Sequence, residues 1–515
     1  MQNALPRVDA IEREAARLGV SDTEFIRWPW WRRKTLRHTH TPVRSGQIVY
    51  NKGVHKSAFM SILQGNAMID FAAIYNTFDE DESLPASDTV RYVDLSPVRG
   101  DSIVDLLAKL VRYAGDAPSH HLLRGHTKCG KTTELNRTAR KLEDAGYATV
   151  MFDVAEVATR TFEYTAVLMI MAGQIIEQLA KRPKPIKIKG ENERELTQFL
   201  LNKQIVRGAE YSGDLTGKVE GESSSLLAGL LGKLGLGLEM RGGFQRSREI
   251  TVQIEADKRG FLRRVQEIVR DADHQVRQAG LKGLVIICDG CDKLEINAAD
   301  ENGRSRDLQC EMFEDHGPDL RDIPCHVIYT VPISIQANLS NDWGEIQFVP
   351  AVPVNKLPGV SDEFPARGRR LLTEVVSRRL GTQNVQIEQL FESVELLDRL
   401  ISFSGGHISD MLLMVRSAIL DADEPGQAQI GEKNVNRAIL KRAHDFTFLI
   451  ETRHLDVLRE IDEFKTRPGN SDLYRDVMFK RLALEYICEE KVRVDLHPLV
   501  AASEAYRRYR DPRAE

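Results

Sequence analysis

The sequence lacks any long hydrophobic run and any segment of the kind that directs export. Its most apolar stretches, AVLMIMAG at 166–173 and LLAGLLGKLGLGL at 226–238, fall short of the ~20 residues that a membrane-spanning helix needs. The amino-terminal MQNALPRVDAIEREAARLG has a charged helical pattern without the apolar core of a signal peptide. We therefore expect a cytoplasmic protein without a transmembrane segment.

Cysteine is scarce, and neither sign of charge dominates. Six scattered cysteines among 515 residues indicate reduced thiols and not a disulfide framework. Cys288 and Cys291 have a zinc-like C-x-x-C spacing, but no second Cys or His pair lies nearby, so we interpret both as packing residues. The net charge of -5 excludes a global attraction to nucleic acid or anionic membrane, so any such binding must be local. The length predicts several domains.

One stretch carries a specific chemical signal. HLLRGHTKCGKTTEL, at 121–135, contains the pattern G-x-x-x-x-G-K-[ST]. Glycines let backbone N–H groups point inward around phosphates, Lys131 reaches the β- and γ-phosphates, and the Thr132 hydroxyl coordinates Mg²⁺. HHLLR before the motif predicts a buried strand, and TTELNRTARKLEDAG after it predicts a helix, whereas a surface turn with a stray lysine is the alternative. The predicted nucleotide-binding residues are Gly125, Thr127, Lys128, Cys129, Gly130, Lys131, Thr132 and Thr133.

A second segment supplies carboxylates. GLVIICDGCDKL, at 283–294, predicts a fully buried parallel strand with Asp289 at its carboxyl end, where open α/β sheets bind ligands. We expect Asp289 to hold Mg²⁺ together with Thr132. Asp292 is the candidate to polarise the attacking water, and its alternative role is to cap the next helix.

Three further segments predict strands that complete a parallel sheet with helices on both faces: ATVMFDVA at 148–155, CHVIYTVPI at 325–333 and IQFVPAVPV at 346–354. Thr330, near the end of its strand, is a candidate sensor of the γ-phosphate or else a buried strand threonine.

Taken in order, several runs resemble bacterial P-loop ATPases of the STAND/origin-recognition branch of the AAA+ superfamily. These runs are RYVDLSPVRGD, GHTKCGKTTEL, IICDGCDKL, HVIYTVPISI, SGGHISDMLL and VDLHPLV, and the resemblance covers about residues 90 to 500. It implies an ATPase core at 90–358, a helical lid at 359–445 and a winged-helix-like domain at 446–515. It also implies ATP and Mg²⁺ as ligands and a nucleotide-dependent switch that forms homo-oligomers.

The resemblance also shows where this chain departs from the pattern. Gly290 stands where such proteins usually carry a general base. Ser409 stands where the lid often has an arginine for the γ-phosphate, and Arg416 is a possible substitute. Both departures put fast hydrolysis in doubt.

Two further roles come from the resemblance alone. An arginine finger from a neighbouring subunit would be Arg321, with Arg304 and Arg306 behind it, although solvated arginines are the simpler interpretation of all three. His497 occupies the place of a winged-helix histidine that contacts the β-phosphate of bound ADP; the alternative is a strand-capping histidine beside Pro498.

The surroundings of the core are less specific. Residues 1–85 form a separate amino-terminal segment, and the acidic FDEDESLPASD at 78–88 is predicted to be a solvated linker. Trp28–His38 combines tryptophans with arginines, which suits nucleic acid, a partner protein or simple packing. An insertion at about 181–250 is expected to project from the core, and its basic start, Lys181–Lys189, either contacts nucleic acid or is solvated.

These observations favour an ATP-binding, slowly hydrolysing switch that controls oligomerisation or an unknown effector or regulatory protein. Antiviral defence is one setting for such a switch, by analogy alone. A DNA-engaging ATPase, as a loader or transposition regulator, is the first alternative. SDLYRDVMFKRLALEYI, at 471–487, mixes acidic with basic residues and disfavours it, because a DNA-reading helix needs to be basic. A nucleotide-bound scaffold that does not hydrolyse ATP is the second alternative.

Overall fold

The computed structural model of the chain describes residues 69–157, 162–202, 251–296, 298–299, 305–335, 339, 343–424, 427–468 and 471–511. Trp28–His38 and the second part of the predicted insertion, 203–250, lie outside the described residues, as do the side chains of Arg304 and Arg306. Among the described helices, none is both long and apolar enough to cross a membrane.

A five-stranded parallel sheet forms the centre of the described structure. Its strands are β1 (His120–Gly125), β2 (Ala148–Asp153), β3 (Leu284–Asp289), β4 (His326–Pro332) and β5 (Gln347–Val349), in the spatial order β2-β3-β4-β1-β5. Every pairing is parallel, so the carboxyl ends of all five strands meet at one edge. All residues of β3 and β4 are buried, which is why their sequences are almost continuously apolar.

Helices cover both faces of the sheet, because successive residues along its strands point to opposite faces and are apolar on both. Leu123, Val285 and Ile287 pack in one cluster with Leu107 and Leu135, whereas the alternate strand residues pack in a larger cluster on the other face. The predicted α/β fold is confirmed. The helices of this part are α1 (Phe71–Thr77), α2 (Ser96–Arg99), α3 (Ile103–Ala114), α4 (Lys131–Asp144), α5 (Val154–Val157), α6 (Tyr164–Ala180), α7 (Gly190–Asn202), α8 (Lys258–Gln278), α9 (Leu308–Cys310) and α10 (Gly317–Arg321).

The described part of the predicted insertion does not project from the core. Lys181–Lys189 links α6 to α7, its Ile186 is buried, and the backbone N–H of Lys189 donates to Asp271 Oδ2 at 2.6 Å. Helix α7 packs against α8 and buries Leu196 and Leu200 in the main core. The described part of the insertion therefore packs on the core through Ile186 and the apolar face of α7, while Lys181, Lys184, Lys187 and Lys189 are exposed.

The carboxyl-terminal half is a helical region followed by a small mixed region. The lid helices are α11 (Glu363–Gly381), α12 (Ile387–Leu390), α13 (Val394–Phe403), α14 (Ile408–Ala422) and α15 (Glu432–Thr447). Then follow α16 (Leu455–Phe464), α17 (Ser471–Phe479), an antiparallel hairpin of β6 (Ala483–Cys488) and β7 (Lys491–Leu496), α18 (Pro498–Ala502) and α19 (Glu504–Arg510). Two helices followed by a hairpin are the elements of a winged helix, as predicted, and one apolar cluster joins this region to the lid and to α1.

Candidate nucleotide-binding site

The glycine-rich loop connects the centre of the sheet to helix α4. Strand β1 ends at Gly125 and α4 begins at Lys131, with positive φ angles of 65° at Lys128 and 103° at Gly130. No side chain caps the amino terminus of α4. A helix of 14 residues therefore directs uncapped N–H groups and the positive end of its dipole at the space inside the loop, which is an arrangement that binds anions.

Lys131 is buried inside this loop and is held by three oxygens. Its Nζ donates to the carbonyl oxygens of Gly125 at 3.0 Å and His126 at 2.8 Å, and it forms an ion pair with Asp292 Oδ2 at 2.8 Å. Burial opposes the charge, but the Asp292 carboxylate outweighs it and raises the pKa of Lys131 above its usual value. The loop therefore keeps a protonated lysine at its centre.

Thr132 and Asp289 meet across the edge of the sheet. The Thr132 hydroxyl, on α4, donates to Asp289 Oδ2 at 2.5 Å, although β4 lies between β3, which ends at Asp289, and β1, which leads into the loop. Asp289 is 2% exposed; burial and the nearby Asp292 carboxylate raise its pKa. A hydroxyl and carboxylates are the oxygen donors that Mg²⁺ prefers, and a cation here would offset the repulsion between the carboxylates. The residues present fit a magnesium ion.

Asp292 lies in the site and does not cap a helix. It sits in a short 3₁₀ turn, Cys291–Lys293, whose preceding cap residue is Gly290. The Asp292 side chain is 3% exposed and its carboxylate is paired with Lys131. The sequence-based alternative of a helix-capping Asp292 is therefore not what the structure has, and the role of Asp292 toward water stays a prediction.

Asp153 is a site carboxylate that the sequence analysis did not single out. Gly290 has a φ of 82°, and a Cβ at this position would lie 1.9 Å from Asp153 Oδ1. The Asp153 carboxylate thus fills the space of the side chain that Gly290 lacks, and it pairs with Lys293 Nζ at 2.7 Å. The signal that could have found it is the one used for Asp289, an aspartate at the carboxyl end of an apolar strand.

Thr330 is buried on the strand next to β1. It pairs in register with Leu123, and its hydroxyl has no hydrogen-bond partner among the described residues. An unsatisfied buried hydroxyl costs about 1–3 kcal/mol, which a ligand or a water molecule would recover. This environment is compatible with either of the predicted roles of Thr330.

Neither predicted arginine reaches the loop within this chain. Arg416 pairs with Glu80 at 2.7 Å and stacks on Tyr75, so its guanidinium is held by the acidic segment and does not take the lid position that Ser409 leaves without an arginine. Arg321 packs over the ring of Trp343 at the end of α10, just before β4 begins, whereas the loop lies where the strands end. The role of Arg321 toward a neighbouring subunit stays a prediction.

The acidic segment 78–88, predicted to be a solvated linker, is exposed at Asp81, Glu82 and Ser83 and also contacts the loop. Asp81 pairs with Lys128 of the loop, and the backbone N–H of Leu84 donates to the Thr133 hydroxyl at 3.2 Å. Through these two contacts the segment lies against the site.

The carboxyl-terminal hairpin also contacts the loop directly. The backbone N–H of Glu485, on β6, donates to His126 Nε2 at 3.2 Å, and its carboxylate pairs with Arg124 of β1 at 2.7 Å. Tyr474 donates a further hydrogen bond to the same carboxylate at 2.6 Å. His126 is completely buried, and burial lowers its pKa well below the usual value. The conformation of the loop is thus coupled to the position of the hairpin.

His497 belongs to a buried cluster around Asp410. Its Nε2 lies 3.2 Å from Asp410 Oδ2, and its Nδ1 accepts from the backbone N–H of Leu499 at 3.2 Å, which caps α18. Burial lowers the pKa of His497 to about 4. Both ring nitrogens are thus engaged inside the protein and are not free for the β-phosphate contact that the resemblance implies, and His497 caps helix α18 and not a strand.

The same Asp410 connects the lid to the loop. Its carboxylate pairs with Arg442 at 2.6 Å and with His407 Nδ1 at 2.9 Å. Burial alone would raise the pKa of Asp410, but Arg481 and His407 outweigh it and hold the pKa well below its usual range. His407 Nε2 in turn lies 3.0 Å from the carbonyl oxygen of Thr127.

Comparison with known proteins finds only distant likeness. No family model matches the chain, and no curated protein matches it. Among solved structures, it is similar to a Walker-type ATPase of Pyrococcus abyssi (TM-score 0.38, 12% identity, covering 83% of this chain and 99% of that chain). It is also similar to the ORC1 protein of Aeropyrum pernix in complex with DNA (0.36, 13%, 83% and 95%) and to Drosophila ORC bound to DNA (0.35, 12%, 92% and 99%). Likeness at this level carries no conclusion about function, and the assignment of an α/β P-loop fold rests on the sheet and the loop described above.

Proposed function

We propose that this protein binds ATP with Mg²⁺ at the loop Gly125–Thr132, hydrolyses it slowly, and uses its nucleotide state to control the contacts of its lid and carboxyl-terminal hairpin with the loop. The observation that carries the first part is the convergence of an uncapped helix terminus, the buried cation of Lys131 and the Thr132–Asp289 pair at one edge of a parallel sheet. Such an edge is where open α/β sheets bind ligands.

The chemistry follows from the groups present. Phosphates entering the loop compete with Asp292 for Lys131, so nucleotide binding exchanges an internal ion pair for one with the ligand. Asp292 is then released beside the reacting phosphate, where a carboxylate can accept a proton from water. Mg²⁺, held by Thr132 and Asp289, would neutralise phosphate charge. Slow turnover is expected because Gly290 provides no carboxylate of its own.

The switch is supported by contacts that join three parts of the chain at the loop. His126 accepts from the backbone of Glu485 in the hairpin, and the carbonyl oxygen of Thr127 contacts His407 of the lid. Both loop residues lie between Gly125 and Lys131, in the segment that must adapt to phosphates. A change of loop conformation on nucleotide binding therefore alters both contacts together. The consequence for the protein would be a change in assembly or in the binding of an effector.

The charges of α17 and of Lys480, which directly follows it, favour a switch over a DNA-engaging ATPase. Arg475 pairs with Asp307 at 2.8 Å, and Lys480 pairs with Glu451 and with Asp476. Cations that are committed to internal carboxylates are poorly available to phosphates of DNA. Salt-dependent binding of duplex DNA by the full chain would reverse this preference.

The proposal is tested by binding and by hydrogen exchange on the full-length protein. Calorimetric titration with Mg²⁺–ADP and a non-hydrolysable Mg²⁺–ATP analogue measures the first part, and the absence of binding to both would overturn it. Amide exchange of β6 and of the start of α14 is then compared among the free, ADP and analogue states, with β2 as an internal control. Different protection of β6 between the two nucleotides is expected; identical protection in all three states would overturn the switch while leaving the binding intact. The mass in solution in the same three states reports on oligomerisation.

A further inference from the structure

A pocket lies beside the loop, between the core and the lid. The core contributes Lys128, Gly130 and Thr133, and the lid contributes Arg379 and Ser409. The pocket is open to solvent on one side. Since Gly130 and Thr133 flank Lys131 and Thr132, the pocket continues directly from the phosphate loop.

Arg379, on helix α11, is a buried cation in this pocket without a counter-ion. Its side chain is 6% exposed. Within the described residues, its one hydrogen bond is from Nη1 to the carbonyl oxygen of Val375 at 3.4 Å, its Nε has no partner, and no carboxylate forms an ion pair with it. A buried charge of this kind is costly unless a partner neutralises it.

The carboxylates nearest to Arg379 are already used by another arginine. Arg91 takes both oxygens of Glu82, at 2.6 and 2.8 Å, and Oδ2 of Asp88 at 2.6 Å. Burial and the Arg91 guanidinium lower the pKa of Arg379 to about 10, so it is still protonated at neutral pH. The pocket therefore holds a buried guanidinium on which the Glu82 and Asp88 carboxylates act at a distance, without forming an ion pair with it.

We propose that Arg379 binds the α-phosphate and ribose of the bound nucleotide from the lid side. This inference rests on the proposed nucleotide-binding function. Arg379 lines the same pocket as Thr133 of the loop, and the planar fork of N–H donors of its guanidinium suits a phosphate or a pair of hydroxyls. Ser409 lines the same pocket and supplies no charge, so the lid contributes its cation from α11 instead of α14.

A contact with the α-phosphate and ribose differs from a contact with the γ-phosphate in its effect on the affinities for ADP and ATP. ADP and ATP share the α-phosphate and the ribose, so Arg379 must strengthen the binding of both nucleotides by the same factor. Loss of a hydrogen-bonded charge contact corresponds to a decrease in affinity of about 10- to 100-fold.

The test uses full-length Arg379→Met, which keeps the length of the side chain and removes its charge. Arg370→Met is the matched control, because Arg370 is exposed on the same helix. We expect Arg379→Met to bind Mg²⁺–ADP and a Mg²⁺–ATP analogue about 10- to 100-fold more weakly, with both affinities unchanged in the control. Arg379→Lys should recover part of the affinity, since it restores the charge without the fork.

Thermal unfolding without nucleotide distinguishes binding from a structural role. Because Arg379 is unpaired, Arg379→Met should have a Tm equal to or above that of the wild type. A wild-type affinity in Arg379→Met, or a lower Tm together with unchanged affinity, would overturn the inference and leave the proposed function standing. Loss of ATP binding with unchanged ADP binding would overturn the assignment to α-phosphate and ribose. A wild-type protein that binds neither nucleotide would overturn the proposed function, and the inference with it.

Discussion

Replacing Lys131 by alanine removes the cation that a buried carboxylate needs, in addition to a phosphate ligand. Asp292 is 3% exposed and lies 2.8 Å from Lys131 Nζ. Deleting one partner of a buried ion pair costs about 3–5 kcal/mol, because the other charge is left desolvated. We therefore expect Lys131→Ala to lower the free energy of unfolding of the core by about 3–5 kcal/mol without any nucleotide present.

A double-mutant cycle separates stability from binding. Urea unfolding without nucleotide is measured for Lys131→Ala, Asp292→Asn and the double variant, and nucleotide affinity is measured for each. The double variant should regain most of the lost stability, since no unpaired charge remains, but it should not regain nucleotide binding. Lys141→Ala is the control on the same helix: its pair with Asp105 is largely exposed, so a loss below about 1 kcal/mol is expected.

Two results would refute this reasoning. If Lys131→Ala is no less stable than Lys141→Ala, the buried pair with Asp292 does not have the energetic weight assigned to it. If Lys131→Ala binds and hydrolyses ATP as the wild type does, the loop is not the nucleotide site.

Three other predictions concern catalysis, assembly and pH. Asp292→Asn should reduce hydrolysis by about 10²-fold while nucleotide affinity stays within a few-fold, because Lys131 is freed for the phosphates. Asp289→Asn should instead abolish the Mg²⁺ dependence of nucleotide binding. Steady-state turnover and calorimetric titration test the two variants, and unchanged turnover in Asp292→Asn would show that Asp292 has no catalytic role. If Arg321 acts on a neighbouring subunit, turnover per subunit should rise with protein concentration, and mixtures of Lys131→Ala with Arg321→Ala should recover activity. Turnover that is independent of concentration, together with no recovery in the mixtures, would indicate a monomeric switch. His497 has a folded pKa of about 4, below its unfolded value of 6.5, so its contribution is present above pH 6.5 and is lost as the pH falls toward 4. Near pH 5.5 it adds about 1.2 kcal/mol per pH unit to the slope of unfolding free energy, and His497→Asn should lose this increment; an unchanged slope would contradict the buried neutral imidazole.

The loop and the sheet could be predicted because their signals are local. The glycine spacing around Lys131 and Thr132 determines a backbone conformation over a few residues. The continuous apolar runs predict strands that are buried on both faces of the sheet. Asp289 was found for the same reason, since it directly follows such a strand. The resemblance added the order of the domains, which the helical lid and the hairpin region follow.

The remaining features depend on which distant residues the fold brings together. Composition predicted a solvated acidic linker but not that its Asp81 would pair with Lys128 of the loop. The sequence left His497 either at a phosphate or as a strand-capping residue, and the buried carboxylate of Asp410 holds its ring.

By itself, the sequence determined that a P-loop would form at 125–132, that a parallel sheet would present Asp289 to it, and that no apolar run of membrane-spanning length is present. Tertiary structure alone decided that Asp153 would fill the space beside Gly290 and that Arg379 would line the lid pocket as a buried cation without an ion pair among the described residues. The physical reason is range: backbone conformation and strand burial depend on neighbouring residues, whereas desolvation and charge pairing depend on contacts between residues that are far apart in the chain.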